Sequence, residues 1–194
     1  MRRIHLALAS ACVLVTQPLY AQATTDTAAF RQGQWAVEFI PNRDVTEAGV
    51  LRFSTPSRAW VLDGSATFEH TTITSNAAPD QSTRSGNVSA RLGPRWYHSE
   101  YDRVVRFAGV GLTDSYSAGN QAGPSTFSQD NWSAGVYGEL GLQYLFTRHL
   151  GLGVRGEVVA MRDIDHVTGN NGTSHLTTDR VALAPLQIIG AFYF

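Results

Sequence analysis

From Asn131 to Phe146 the chain alternates residue by residue between two kinds of side chain. Trp132, Ala134, Val136, Gly138, Leu140, Leu142, Tyr144 and Phe146 take one parity. Ser133, Gly135, Tyr137, Glu139, Gly141 and Gln143 take the other. A helix would scatter both sets around its circumference, whereas a strand sends them to opposite faces. The alternation runs for about 15 residues, where an ordinary soluble strand has about 5–6. A strand this long with one apolar face constrains the fold more than any other feature of the sequence.

The same period recurs. Trp60, Leu62, Gly64, Ala66 and Phe68 oppose Val61, Asp63, Ser65, Thr67 and Glu69. Val88, Ala90, Leu92, Pro94 and Trp96 oppose Ser89, Arg91, Gly93, Arg95 and Tyr97. Leu150, Leu152, Val154, Gly156, Val158 and Ala160 oppose a face holding Arg155 and Glu157. Shorter versions cover Gln34–Ile40 and Gly49–Ser54. In Val104–Tyr116 the parity of Ala108, Val110 and Leu112 also carries Arg106 and Asp114. That parity reads as outward, with Arg106 snorkelling to the boundary or a bulge switching faces. Val181–Phe194 is apolar on both faces, with Leu183, Ile189 and Tyr193 assigned to one and Leu186, Ile188, Phe192 and Phe194 to the other. Pro185 interrupts its ladder.

Eight strands result, joined by connections that alternate in length. Thr55–Arg58, His98–Arg103 and Thr147–His149 are short. The segments 71–87, 118–130 and 162–180 read as long loops, and Pro41–Glu47 links the first two strands. Long loops on one rim and short turns on the other characterise outer-membrane barrels. A soluble sandwich is the rival fold. Strands of roughly 10 residues suit a tilted crossing of a hydrocarbon layer about 25 Å thick, where every backbone donor needs a partner and the sheet must close. The aromatics gather at predicted strand ends, as a headgroup-level girdle requires. On the short-turn side they are Trp35, Phe53, Trp60, Trp96, Tyr97, Phe107, Tyr144, Phe146, Phe192, Tyr193 and Phe194. On the long-loop side they are Phe39, Phe68, Tyr116 and Trp132.

The first residues read as an export signal. Met1-Arg2-Arg3 is basic, Ile4–Val15 is mostly apolar, and Ala21-Gln22-Ala23 offers small residues for cleavage after Ala23. Cys12 ends a lipobox-like run, but Ala9 stands where leucine is wanted, so the plain signal is preferred. The expected organisation is a secretory signal peptide (residues 1–23), a periplasmic lead-in (24–33) and a barrel (34–194). Charged residues are only 16 % of the chain and the net charge is −1. That excludes a nucleic-acid binder working by phosphate neutralisation. One cysteine excludes a disulfide framework or a cysteine-rich zinc site.

Over residues 34–194 the chain resembles a small eight-stranded outer-membrane β-barrel of the OmpA/OmpX type. The C-terminal segment carries the most specific part of the likeness. Gln187, Phe192 and Phe194 match the polar, aromatic and aromatic positions of the signal such barrels present to the assembly machinery, although Ile189 stands where glycine is usual. The resemblance implies an all-β, eight-stranded antiparallel up-and-down transmembrane barrel with short periplasmic turns and long extracellular loops. It also implies residence in the outer membrane of a Gram-negative-type bacterium, outer-membrane lipid as surroundings, and the barrel-assembly machinery as a partner through Phe194.

The polar parity places Glu38, Arg52, Asp63, Glu69, Arg91, Arg95, Glu139, Arg155 and Glu157 in the lumen. Eight strands leave an interior wide enough only for side chains. Charges there form either an ion pathway or a closed salt-bridged core, and near-balance in so narrow a space favours the closed core. No catalytic, cofactor or metal residue is assigned. His98-Ser99, His70 with Ser75, and His175 beside Ser174 lack the His-x-Ser spacing of lipid A deacylases, leaving a lipid-modifying enzyme as the weaker alternative. Asp163 and Asp165 ahead of Gly169-Asn170-Asn171-Gly172 lack the glycine spacing and distal glutamate of a calcium loop. The expected function is structural or surface interaction through loops 71–87, 118–130 and 162–180. A narrow porin-like channel is the alternative.

Overall fold

The computed structural model describes residues 29–41, 46–75, 78–101, 103–122, 126–170 and 172–194. The expected signal peptide, its cleavage after Ala23 and Cys12 lie outside the described residues. The strands are β1 (Trp35–Pro41), β2 (Thr46–Thr55), β3 (Arg58–Ser75), β4 (Ala78–Tyr101), β5 (Val104–Ala122), β6 (Phe127–Leu145), β7 (Leu150–Gly169) and β8 (Gly172–Tyr193). Each pairs antiparallel with the next, and β1 pairs with β8 to close the barrel. The seam is fixed at one end by reciprocal bonds. Trp35 N–H donates to the Phe194 carbonyl at 3.1 Å, and Phe194 N–H donates to the Trp35 carbonyl at 3.0 Å.

The face assignments hold on the long runs. Leu140, Leu142, Val136 and Trp132 point outward on β6, while Ser133, Tyr137, Glu139 and Gln143 are buried. On β5, Val110 and Leu112 are outward and Val105 and Phe107 inward, with no break in register against β6. Arg106 is exposed on the outward parity, so no parity switch is needed. The buried side chains fill the lumen and the exposed apolar side chains form a continuous outer belt. A patch of that extent on a water-facing surface would be unusual, and it is what a lipid-facing barrel presents.

Three expectations are corrected. First, the segments 71–87, 118–130 and 162–180 are not loops. Among the described residues they continue the ladders, pairing Thr71 with Thr83, Ala118 with Asp130 and Arg162 with Asp179. These segments are mostly polar, with isolated exposed apolar side chains such as Ile73, Phe127 and Leu176 rather than an unbroken alternation, yet the cross-strand pairing continues. Second, Phe53, Tyr97, Phe107 and Tyr193 are buried, not in the girdle. Trp35, Trp60, Trp96, Tyr144, Phe146, Phe192 and Phe194 do face outward at that end. Third, Leu183 is outward and 83 % exposed. Arg155 pairs with Gln187 but Glu157 with Ala184, an extra residue on β8 around Pro185 that flips parity.

The lead-in also does more than precede the barrel. Gly33 has φ +81°, a left-handed conformation that glycine adopts without strain, and its N–H donates to the Phe53 carbonyl at 2.8 Å. That reversal turns Phe30 back under the barrel. Its ring stacks on Phe53 at 4.4 Å and meets Tyr193 at 4.9 Å and Tyr97 at 5.0 Å. An aromatic layer thus closes the short-turn end.

Leu140 sits mid-strand in the outer belt and is 69 % exposed. Leu140→Arg is expected to cost about 2–4 kcal/mol in folding into a bilayer. Urea titration of the refolded barrel in lipid vesicles measures it; an unchanged midpoint would contradict a lipid-facing β6.

Candidate functional site

The centre of the lumen is an ionic network built row by row from the register. One row runs Glu38 (β1), Gly49 (β2), Asp63 (β3) and Arg91 (β4). A second runs Arg95 (β4), Gly109 (β5), Glu139 (β6) and Glu157 (β7). In the second row Arg95 reaches across Gly109 to Glu139. A methyl group at position 109 would overlap the Glu139 carboxylate, and one at position 49 would overlap that of Asp63. Small residues beside large ones are how a narrow barrel fills its interior.

Arg95 and Glu139 make a bidentate pair. Arg95 Nε donates to Glu139 Oε1 at 2.7 Å and Nη2 to Oε2 at 3.1 Å. Arg95 Nη1 donates to Glu38 Oε1 at 2.6 Å and to the Tyr97 hydroxyl at 3.2 Å. Its guanidinium lies 4.6 Å from the Phe107 ring centroid, so a π face covers a cation that water does not reach. Arg155 is the second hub. Nε and Nη2 donate to Gln187 Oε1 at 2.9 and 2.7 Å. Nη1 reaches Asp63 Oδ2 at 3.3 Å and Glu139 Oε2 at 3.4 Å, and Nη2 reaches Glu47 Oε2 at 3.1 Å. Arg91 donates to Glu157 and to Glu47 Oε1, the latter at 2.9 Å. Below this layer the Tyr193 hydroxyl donates to Gln143 Oε1 at 2.6 Å.

Seven of the nine expected lumen charges are in this network. Arg52 is not: it alternates with buried Leu51 and Phe53, is exposed, and lies over the Trp35 ring at 5.3 Å. Glu69 keeps its inward parity but is exposed at the open mouth of the barrel, where it lines a cavity of about 620 Å³ with Thr67, Thr83, Asn87 and Gln129. Glu47 was expected in the linking loop. It lies on β2, and its two carboxylate oxygens join Arg91 to Arg155. Only the register of β2 reveals it. Three arginines meet five acids, and Glu38 Oε2 and Asp63 Oδ1 have no hydrogen-bond partner among the described residues.

Among the described residues the histidines weighed above contact groups other than a serine hydroxyl. His98 pairs across the ladder with Arg106, and His70 contacts Thr72 at 3.3 Å. His175 lies opposite His166, while Ser174 lies opposite Val167. The two aspartates weighed as calcium ligands have protein partners. Asp163 Oδ2 is 3.3 Å from Arg180, and Asp165 Oδ1 accepts from Asn131.

No protein-family model and no curated protein matches the sequence. In structure the chain is similar to the outer membrane protein OprG from Pseudomonas aeruginosa. The TM-score is 0.57 at 12 % identity, over 87 % of this chain and 99 % of that one. It is also similar to a major outer membrane protein from Thermus thermophilus, with TM-score 0.55 at 11 % identity, over 83 % and 98 %. The protein therefore has the fold of the small outer-membrane β-barrels, with eight antiparallel up-and-down strands in a closed ring.

Removing one partner from the buried network leaves a charge without compensation. Glu139→Ala and Arg155→Ala are each expected to lower stability by about 3–5 kcal/mol. Val154→Ala, on the outward face between them in sequence, should cost clearly less. The shift in the temperature at which the barrel loses its compact, fast-migrating gel form compares the three.

Proposed function

We propose that this protein is an integral outer-membrane barrel of a Gram-negative-type bacterium, with a structural or surface-interaction role and a lumen that does not conduct. The observation that carries the reading is double closure. The aromatic layer around Phe30 seals the short-turn end, and the Arg95–Glu139–Glu38 contacts span the lumen above it with no solvent exposure. The outer ribbons of β3–β8 stand beyond this sealed section and are the surface offered to a ligand. They replace the loops 71–87, 118–130 and 162–180 in that role. The barrel sits with these ribbons outside and its turns in the periplasm, after signal-peptide cleavage near Ala23.

In planar bilayers the purified barrel is expected to give no resolved conductance steps. The double variant Phe30→Ala/Glu139→Ala, which removes one element of each seal, should leak if the variant folds. Steady unitary currents from the unaltered protein would favour the channel reading. Such a channel would select cations, because five acids meet three arginines in the lumen.

Insertion is proposed to use the barrel-assembly machinery, which would read the exposed C-terminal Phe192 and Phe194. Deleting Phe194 should lower outer-membrane yield and leave precursor or degradation products in the periplasm. Fractionation with immunoblotting measures it, and an undiminished yield would remove Phe194 from that role.

A further inference from the structure

On the outer face of the β7–β8 ribbon, two histidines stand directly opposite each other. His166 pairs with His175 across the ladder, and their rings meet edge to face with centroids 4.4 Å apart. On the other side of His166, the ladder places Asp130 of β6 directly opposite it. Cross-strand partners point to the same face, so Asp130, His166 and His175 form one row over three strands. The Tyr116 hydroxyl donates to Asp130 Oδ1 at 3.2 Å, the kind of neighbouring hydrogen bond that orients a metal-ligating carboxylate.

The geometry points to a binding site for a divalent transition-metal ion, Cu²⁺ or Zn²⁺, held by His166 and His175 with Asp130 as third ligand. Two imidazoles and a carboxylate without thiolate suit these ions rather than Ca²⁺ or Mg²⁺, which prefer all-oxygen sets. Metal–nitrogen bonds of about 2.0–2.1 Å let one ion bridge two rings this close after small side-chain rotations. Among the described residues no three such side chains stand close enough together to hold an ion as they are, so the histidine pair would bind first and Asp130 would have to swing towards it. The paired backbone of three strands supplies the rigidity: β6–β7 and β7–β8 stay in register through all three positions. An edge-to-face ring contact on an exposed ribbon is the plainer account of the two histidines. It leaves the second carboxylate oxygen of Asp130 unused, since Tyr116 engages Oδ1.

The test uses the full barrel refolded in detergent without a histidine tag, titrated with Cu²⁺ and followed by electron paramagnetic resonance and calorimetry. One saturable site with two equatorial imidazole nitrogens is expected. His166→Asn and His175→Asn should each reduce the nitrogen count to one and weaken binding about tenfold or more. Asp130→Asn should weaken binding while keeping both nitrogens; unchanged affinity would remove Asp130 from the site. His70→Asn and His98→Asn should leave the titration unaltered. Absence of a saturable site, or retention of two nitrogens in His166→Asn, would overturn the proposal. The variants lie on the exposed ribbon, so heat-modifiable gel migration is expected to stay normal and separates lost binding from lost folding.

Discussion

In a hydrocarbon layer a backbone N–H or C=O without a partner costs several kcal/mol, and nothing but the chain itself can supply one. Everything else in this structure follows from meeting that constraint with strands. The sheet must return on itself, and it does so where β1 meets β8 and Trp35 and Phe194 exchange hydrogen bonds. Closure turns the pattern inside out relative to a soluble domain. The apolar parity of β6 faces outward and the parity carrying Glu139 and Gln143 faces in.

Eight strands close around a space that only side chains fill, and that narrowness dictates the chemistry of the lumen. Arginine suits such a space because its planar fork can satisfy several carboxylates at once. Arg155 contacts Asp63, Glu139 and Glu47 from three other strands, so one side chain ties β7 to β2, β3 and β6. Each tie also fixes how strands far apart in sequence sit relative to one another. Glycine takes part by absence, since Gly109 leaves the gap through which Arg95 meets Glu139. Replacing such a network with apolar groups can be neutral or stabilising in other proteins, whereas halving a pair is costly. Its presence speaks for a specified, filled interior more than for raw stability.

The two rims differ in kind. At the short-turn end a folded-back Phe30 and three inward aromatics make a dry floor. At the other end β1 and β2 stop at 7 and 10 residues while β3–β8 run for 18 to 24, so six strands rise as paired ribbons beyond the short hairpin. Ribbon backbones are ordered by their ladders, which holds side chains such as His166 and His175 in fixed relation. A surface for recognition is better built on such a scaffold than on loose connections.

The sequence by itself determined the number of strands and, along the long alternating runs of β3, β4, β6 and β7, which face most residues take, though not that of Arg52 on β2 or Leu183 on β8. Period-two alternation is a local property, and one apolar face survives as a pattern because the environment on that side is uniform. It determined the charged lumen for the same reason, placing Arg95, Arg155 and Glu139 inside with no knowledge of their partners. Beyond the apolar belt, as in 162–180, the alternation fades though the strand pairing does not, and those residues read as loops. Tertiary structure alone decided the rest. Parity already put Tyr97 on the face of Arg95 and Trp96 on the other, but only packing brings Tyr97 against Phe30 and takes it out of the girdle. Parity after Pro185 depends on a bulge visible only against β7. Phe30 reaches the floor because Gly33 reverses the chain, and Glu47 joins Arg155 across 108 residues of sequence. Contacts set by register at that separation leave no local trace, because no residue near either partner in the chain is constrained by them.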